Sequence, residues 1–285
     1  MIHFTKRNLL LYFHNKASVF FSLLAVMITF LLYIFVFRNL YSVGLFGESS
    51  IQGITDFWAI GGILAAPTVT TPLGSLWVFV DDRNRKLYRD FYAAPVARTK
   101  LTGGYLLSSF LIGIIMSCAL LLAAQAYLLS TGAGWFSPRQ YAMLLVTLIL
   151  STFSGAGFVL LLVSLFHRND AFTSLSIIIG TLMGFLSGNY MPMGLMPETA
   201  QNIIKLCPVA HASALLRQIL AKEPLHEVLS GIPNMAESYF SQFMGIELAI
   251  GEKVIPVWGH LAYLAGTGIL FYSLAIFVLS RKRKK

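Results

Sequence analysis

LTGGYLLSSFLIGIIMSCALLLAAQAYLL, running from Leu101 to Leu129, contains no Asp, Glu, Lys or Arg. A helix needs about 20 residues to cross about 30 Å of hydrocarbon, and this stretch exceeds that length. Five further uncharged runs of spanning or near-spanning length lie around it: Ala17–Phe37, Phe57–Val80, Gln140–Phe166, Ala171–Tyr190 and Pro256–Ser280. In lipid every backbone polar group must be bonded internally, so these runs read as helices, and they are too long for barrel strands. The fold class that follows is all-α integral membrane, with six transmembrane helices at about 17–37, 57–80, 101–129, 140–166, 171–190 and 256–280. The first run is too long for the core of a signal peptide, and no small-residue cleavage pattern follows it.

Composition agrees. The chain is 56% hydrophobic and 12% charged, with a mean hydropathy of +0.72. A soluble domain carries about 25% charged residues, so this chain has too few to cover a water-exposed surface. Six spans put both termini on one side. That side also holds Lys6, Arg7, Lys16, Arg168, six basic residues between Asp81 and Lys100, and the five of the tail. The other side holds Arg38, Arg139, Lys205, Arg217, Lys222 and Lys253. The positive-inside rule therefore places both termini in the cytoplasm, and the net charge of +9 reads as orientation rather than as a nucleic-acid footprint.

The motifs of common enzymes are missing. There is no Gly-x-x-x-x-Gly-Lys-Ser/Thr loop to cradle phosphates, no His-Glu-x-x-His and no Gly-x-Ser-x-Gly. None of the six runs carries a charge, and chemistry at membrane depth usually needs one to move protons or hold a metal. The polar residues inside the runs are Gln125, several Ser and Thr, and Asn189 near an outer end; Gln125 reads as an interhelical hydrogen-bonding residue. Cys118 and Cys207 lie in different regions and neither has metal-ligand neighbours. No catalytic, cofactor-binding or metal residue is read from this chain.

The 81–100 loop is the densest in charge, and Leu87, Phe91 and Tyr92 recur at helical spacing until Pro95 stops the pattern. A short amphipathic helix tethered to two spans can anchor at headgroups or dock into a cytoplasmic partner. Residues 1–16 read as an interfacial helix, with Ile2, Leu9, Leu10 and Phe13 on one face, His3, Arg7 and His14 opposite, and Phe4 and Leu11 on the wet side. Pro67 and Pro72 stand among Thr68, Thr70 and Thr71, which predicts a kink whose freed carbonyls the threonines satisfy. Gly180, Gly184 and Gly188 clear one helical stripe, either as a dimer seam or for packing within one subunit. Residues 191–255 form an outer hairpin dipping into the membrane, followed by a mildly acidic exposed cap with short helices.

These features together resemble an ABC-2 type permease, the membrane subunit of ATP-binding cassette exporters. The resemblance rests on the N-terminal helix, the six spans, and the basic loop ending Ala94-Pro95-Val96-Ala97-Arg98-Thr99-Lys100-Leu101. It rests also on the segment Met191–Glu198 through Cys207-Pro208-Val209-Ala210-His211 to Arg217, which is similar to that family's outer hairpin. It covers most of 1–285 as a single transmembrane domain, except about 221–254, and Cys207 stands where the family has a polar residue. The resemblance implies cytoplasmic ABC ATPase subunits as partners, which would hold the ATP and Mg²⁺ that this chain has no site for. It implies coupling through Arg85, Leu87, Arg89, Phe91 and Pro95, and a hairpin built on Pro197, Glu198, Pro208 and Arg217. It further implies a second copy or a sister permease, a prokaryotic cytoplasmic membrane, and export of amphipathic drugs or peptides or, alternatively, of polysaccharide or lipid-linked cargo. Two rivals remain: a membrane enzyme using His211, Glu198 and Arg217, and an ATP-independent channel or scaffold.

Overall fold

The computed structural model describes all residues except 38–51, 86, 88–97, 167–168, 229–233, 252 and 282–285. Helix α1 (Ile2–His14) is followed by α2 (Lys16–Leu32), which ends in a π-helical turn, Tyr33–Phe37. Three helical segments then run nearly end to end: α3 (Gln52–Ala65), α4 (Pro67–Ser75) and α5 (Trp77–Asn84). Next come α6 (Arg98–Ser130), α7 (Pro138–Leu165) and α8 (Asn169–Leu186). The hairpin region contains α9 (Glu198–Lys205), α10 (Pro208–Val228), α11 (Asn234–Phe243) and a two-stranded antiparallel ribbon, β1 (Ala249–Ile250) with β2 (Lys253–Val254). Helix α12 (Val257–Arg281) closes the chain. The ribbon is a small departure from an all-α reading.

Among the described residues, four helices are long and apolar enough to cross a membrane: Ile54–Asn84, Lys100–Ser130, Pro138–Leu165 and Val257–Val278. The bent pair α9 and α10, meeting at 89°, counts as a fifth if it forms one broken span. Val26–Val36 and Asp170–Leu186 are shorter apolar helices. The packing is inverted relative to a water-soluble bundle. Ile177, Ile178 and Leu182 on α8 and Ile269, Leu270, Ile276 and Phe277 on α12 face outward, while Thr68, Ser151, Thr152 and Ser154 are buried. Lipid solvates the first set and would strand the hydroxyls of the second.

Small and hydroxylated residues make the closest contacts. Thr68 and Ser151 share a hydrogen bond of 2.7 Å between α4 and α7, and Ser154 and Thr267 one of 2.9 Å between α7 and α12. Pro72 has no N–H, so the carbonyl of Thr68 loses its helical partner. That carbonyl faces α7 where a Cβ on Gly155 would strike it, so the two backbones meet directly. The threonines cap other backbone oxygens than the expected ones, Thr68 at Ala65 (2.6 Å) and Thr70 at Ala66 (3.3 Å), and not the carbonyls of Ile63 and Thr68 that Pro67 and Pro72 free.

Three expectations need correcting. The helix that carries the second run does not begin at Phe57: it starts upstream at Gln52 and its segments extend to Asn84, so Asp56 and Asp82 flank the uncharged run on the same helix. The face of α1 that meets the body is polar, with Thr5, Asn8 and Tyr12 buried, whereas Ile2, Leu10 and Phe13 point outward. Phe4 is not on a wet side; its ring meets Tyr105 edge-on at 4.8 Å. Helix α10 does more than dip: from Val209 to Ala221 nearly every residue is buried, against α3, α7 and α12.

Candidate functional site

The loop expected to couple the protein to a partner is anchored by a polar cluster at the end of the molecule where α1, α5 and α6 meet. Arg7 donates to both oxygens of Asp82, Nη1 at 2.9 Å and Nη2 at 3.2 Å, and the Tyr105 hydroxyl donates to the same carboxylate. Asn8 bonds Ser108 at 3.3 Å, and Thr5 bonds the Gly104 carbonyl at 3.4 Å. Asp82 is buried, so a paired and hydrogen-bonded carboxylate is the form the site tolerates. Burial works against the Arg7 charge, but the Asp82 carboxylate outweighs it and holds the guanidinium above its ordinary pKa. One residue of α5 is thereby tied to α1 and α6 together, so both helices flanking the loop are bonded to the N-terminal helix or to its partner carboxylate.

The loop residues themselves divide. The helix of α5 continues through Arg83 and Asn84, so Arg83 does not start a separate helix. Arg85 follows the helix end, exposed and paired with Asp81 at 2.9 Å. Leu87 is half-buried, its N–H on the Asp82 carbonyl at 3.0 Å. Arg89, Phe91 and Pro95, and the helix expected around them, lie outside the described residues.

At the opposite end Arg217 on α10 is 2% exposed, and among the described residues no carboxylate forms an ion pair with it. Its guanidinium donates instead to three backbone carbonyls from separate segments: Trp58 (3.1 Å), Gly188 (2.9 Å) and Gly245 (3.4 Å). It also sits 4.6 Å from the centroid of the Trp58 ring. Gly188 and Gly245 hold φ of +68° and +66°, a left-handed conformation that costs other residues and lets these carbonyls turn inward. Gly61 and Gly62 clear the surface of α3 beneath the Arg217 side chain. Pro197 and Pro208 stand at the starts of α9 and α10, and Glu198 is an exposed first-turn residue of α9.

The candidate stripe on α8 does not continue as one helical face. Gly188 falls in the turn beyond the helix, and the face of Gly184 is covered by the Tyr190 ring of the same chain. Gly180 alone opens outward, with nothing within 4 Å of where a Cβ would stand. Gln125 has the structural role foreseen, donating to the Gly134 carbonyl at 3.3 Å and accepting from Tyr141 at 3.0 Å.

Sequence reasoning missed two clusters. Asp56 is 3% exposed and accepts from Tyr33 (2.7 Å, on the π turn) and Tyr127 (3.4 Å, on α6). His211 lies 3.0 Å from His260 between Nδ1 atoms and is stacked on Tyr263 at 3.9 Å. The Nε2 of His211 meets the Lys205 carbonyl at 2.8 Å, so it donates and leaves Nδ1 to accept from His260. These contacts clamp the α9–α10 bend to α12. His211 and Arg217 are thus both engaged structurally and buried, while Glu198 is exposed. Among the described residues no group of three or more His, Cys, Asp or Glu is placed to hold a metal ion.

Helices with apolar exteriors and hydroxylated interiors, joined by buried charges that bond backbone or neighbouring side chains, define a multi-pass helical membrane protein. Residues 38–277 match the family model described as ABC-2 family transporter protein, and the chain belongs to that family of ABC transporter permeases. It is 30% identical over 186 residues to the linearmycin resistance permease protein LnrN of Bacillus subtilis (strain 168), across 65% of this chain and 46% of that protein. The chain therefore spans about half the length of this curated relative.

Proposed function

We propose that the chain is the permease subunit of an ATP-driven exporter moving amphipathic small molecules or peptides out across the cytoplasmic membrane of a prokaryote. It crosses the membrane six times with both termini in the cytoplasm. Two copies, or one copy and a sister permease, surround the path. Cytoplasmic ABC ATPase subunits bind the 81–100 loop through Arg85, Leu87, Arg89, Phe91 and Pro95 and supply the ATP chemistry.

The observation that carries this reading is the Arg7–Asp82–Tyr105 cluster. Asp82, near the α5 end that leads into the loop, is bonded to both α1 and α6, which would let a displacement of the loop be shared by the three helices. The name of the Bacillus relative, a resistance permease, supports an antimicrobial-like cargo over a polysaccharide. Purification in detergent tests the reading, with a pull-down for an ATPase repeated on Leu87→Asp and Phe91→Asp. An ATPase that accompanies the parent and is lost or uncoupled in the variants is the expected result. A parent that emerges with no ATPase from the membrane extract refutes it.

A further inference from the structure

Helix α1 turns its polar side to the protein. Thr5 and Asn8 bond α6 at Gly104 and Ser108, and Tyr12 packs with Ile112 and Met116, so α1 runs alongside the first turns of α6. The other side holds His3, Lys6, Leu10 and Phe13, all exposed, Leu10 at 53% and Phe13 at 39%. Spacings of three, four and three put them on one helical face. The two basic groups come first, and the two apolar ones follow about 10 Å further along the axis. Residues 1–47 contain no Asp or Glu, and the Asp82 carboxylate beside α1 is already held by Arg7 and Tyr105. Two features point this face at lipid. A single residue, Asn15, separates α1 from α2, the helix that carries the first apolar run, so the Leu10–Phe13 end of the strip meets the membrane. The basic end borders the start of α6, where Lys100 is exposed and Tyr105 bonds Asp82. With 33 residues, α6 is about 50 Å long and exceeds about 30 Å of hydrocarbon, so its first turns reach the headgroups.

We infer that this strip holds an anionic phospholipid, its phosphate between His3 and Lys6 and its acyl chains along Leu10 and Phe13. A lysine ammonium is a compact donor to phosphate, and an imidazole N–H donates in either protonation state. Basic residues at a membrane surface draw acidic lipids, and apolar residues on the same helix add area buried at the acyl boundary. His14 follows Leu10 on this face and Arg7 stands at its edge, so no acidic residue of α1 opposes the headgroup. Lys6 adjoins Arg7 in the chain, which puts the lipid beside the clasp on Asp82. Assigning that lipid to the cytoplasmic leaflet rests on the proposed topology; the recognition itself does not.

The test is photolabelling of the full chain in detergent by a phosphatidylglycerol bearing a diazirine in one acyl chain. Unlabelled phosphatidylglycerol, phosphatidylcholine of matched chains and inorganic phosphate are the competitors. Cross-links are expected on α1 around Leu10 and Phe13, with the glycerol lipid competing about tenfold better than the choline lipid, a difference of about 1.4 kcal/mol. That preference should shrink as salt is added, and inorganic phosphate should not compete. His3→Gln with Lys6→Gln should bring the two lipids to within about twofold of each other and leave Tm unchanged, since both side chains are exposed. If the double variant does not fold, Lys6→Gln alone should cut the preference about threefold. Leu10→Ser with Phe13→Ser should weaken both lipids alike and keep the preference. Equal competition in the parent overturns the inference, as does a tenfold preference that survives His3→Gln with Lys6→Gln, or cross-links confined to other helices. An ATPase that accompanies the parent and is lost from that double variant also overturns it, because the face then docks an acidic protein surface. Absence of an ATPase from the parent leaves the lipid preference standing and sinks only the exporter reading. Absence of the preference with ATPase coupling intact sinks only this one.

Discussion

Replacing Arg217 with leucine removes a side chain that joins α3, the turn after α8 and the turn after α11. Two of its hydrogen bonds, at 3.1 and 2.9 Å, are well formed, and the third, at 3.4 Å, is at the limit. Bonds from a charged donor contribute about 1.5–3 kcal/mol each, so the two good ones supply about 4 kcal/mol. A desolvated cation over an indole adds about 2 kcal/mol. Against this, the variant no longer has to bury a guanidinium, which returns several kcal/mol. The net loss is about 3 kcal/mol, or a Tm lower by about 6–10 °C at the scaling of a domain of this size. Cys118 and Cys207 are both free and partly buried, so a thiol-reactive fluorophore reports unfolding in detergent without further engineering. Arg217→Lys should fall as far, because an ammonium is a point donor that cannot fan out to three carbonyls. The reasoning is refuted if Arg217→Leu melts within about 2 °C of the parent, or if Arg217→Lys matches it.

Two other outcomes are expected. Arg7→Met leaves Asp82 buried without its cation and should cost about 2 kcal/mol, discounted from the 3–5 of a fully buried pair because Arg7 keeps 33% of its side-chain exposure. Adding Asp82→Asn to it should restore most of that stability while leaving ATPase activity uncoupled from transport, which a double-mutant cycle with both assays checks. Gly155→Val drives a Cβ into the Thr68 carbonyl and should destabilise by about 2 kcal/mol or more, whereas Gly180→Ala should not move Tm; equal melting of the two would contradict the close contact of α4 with α7.

Four of the six expected spans fall on helices long and apolar enough to cross a membrane, because lipid imposes a length and forbids charge, and the run Leu101–Leu129 satisfies both conditions without ambiguity; the first and fifth runs fall on shorter apolar helices. What escaped was pairing. Asp56 ended the reading of the second span at Phe57 because an isolated carboxylate is expensive in lipid; Tyr33 and Tyr127, far away in the chain, make it tolerable. Asp82 was assigned to a loop for the same reason, although its partner Arg7 was already in view as a basic residue of the N-terminal helix. The stripe of Gly180, Gly184 and Gly188 follows helical spacing, but spacing does not reveal that the helix ends before Gly188 or that Tyr190 folds back over Gly184. Periodicity speaks for a helix's own surface and is silent about which distant residue covers it.

Asp56 and Asp82 sit near the two ends of one continuous span, the first held by tyrosines from α2's end and α6, the second by α1 and α6. With 26 positions between them at about 1.5 Å each, they stand about 39 Å apart along the helix. A hydrocarbon layer of about 30 Å leaves each carboxylate a few ångströms into the headgroup region. The spacing of the two clasps is therefore close to the thickness of a bilayer with part of its headgroup layers. A thicker membrane draws one carboxylate or the other into hydrocarbon, and neither clasp can yield without releasing α6. Reconstitution across a series of acyl-chain lengths should show activity greatest where the hydrocarbon is near 30 Å and falling as the chains lengthen.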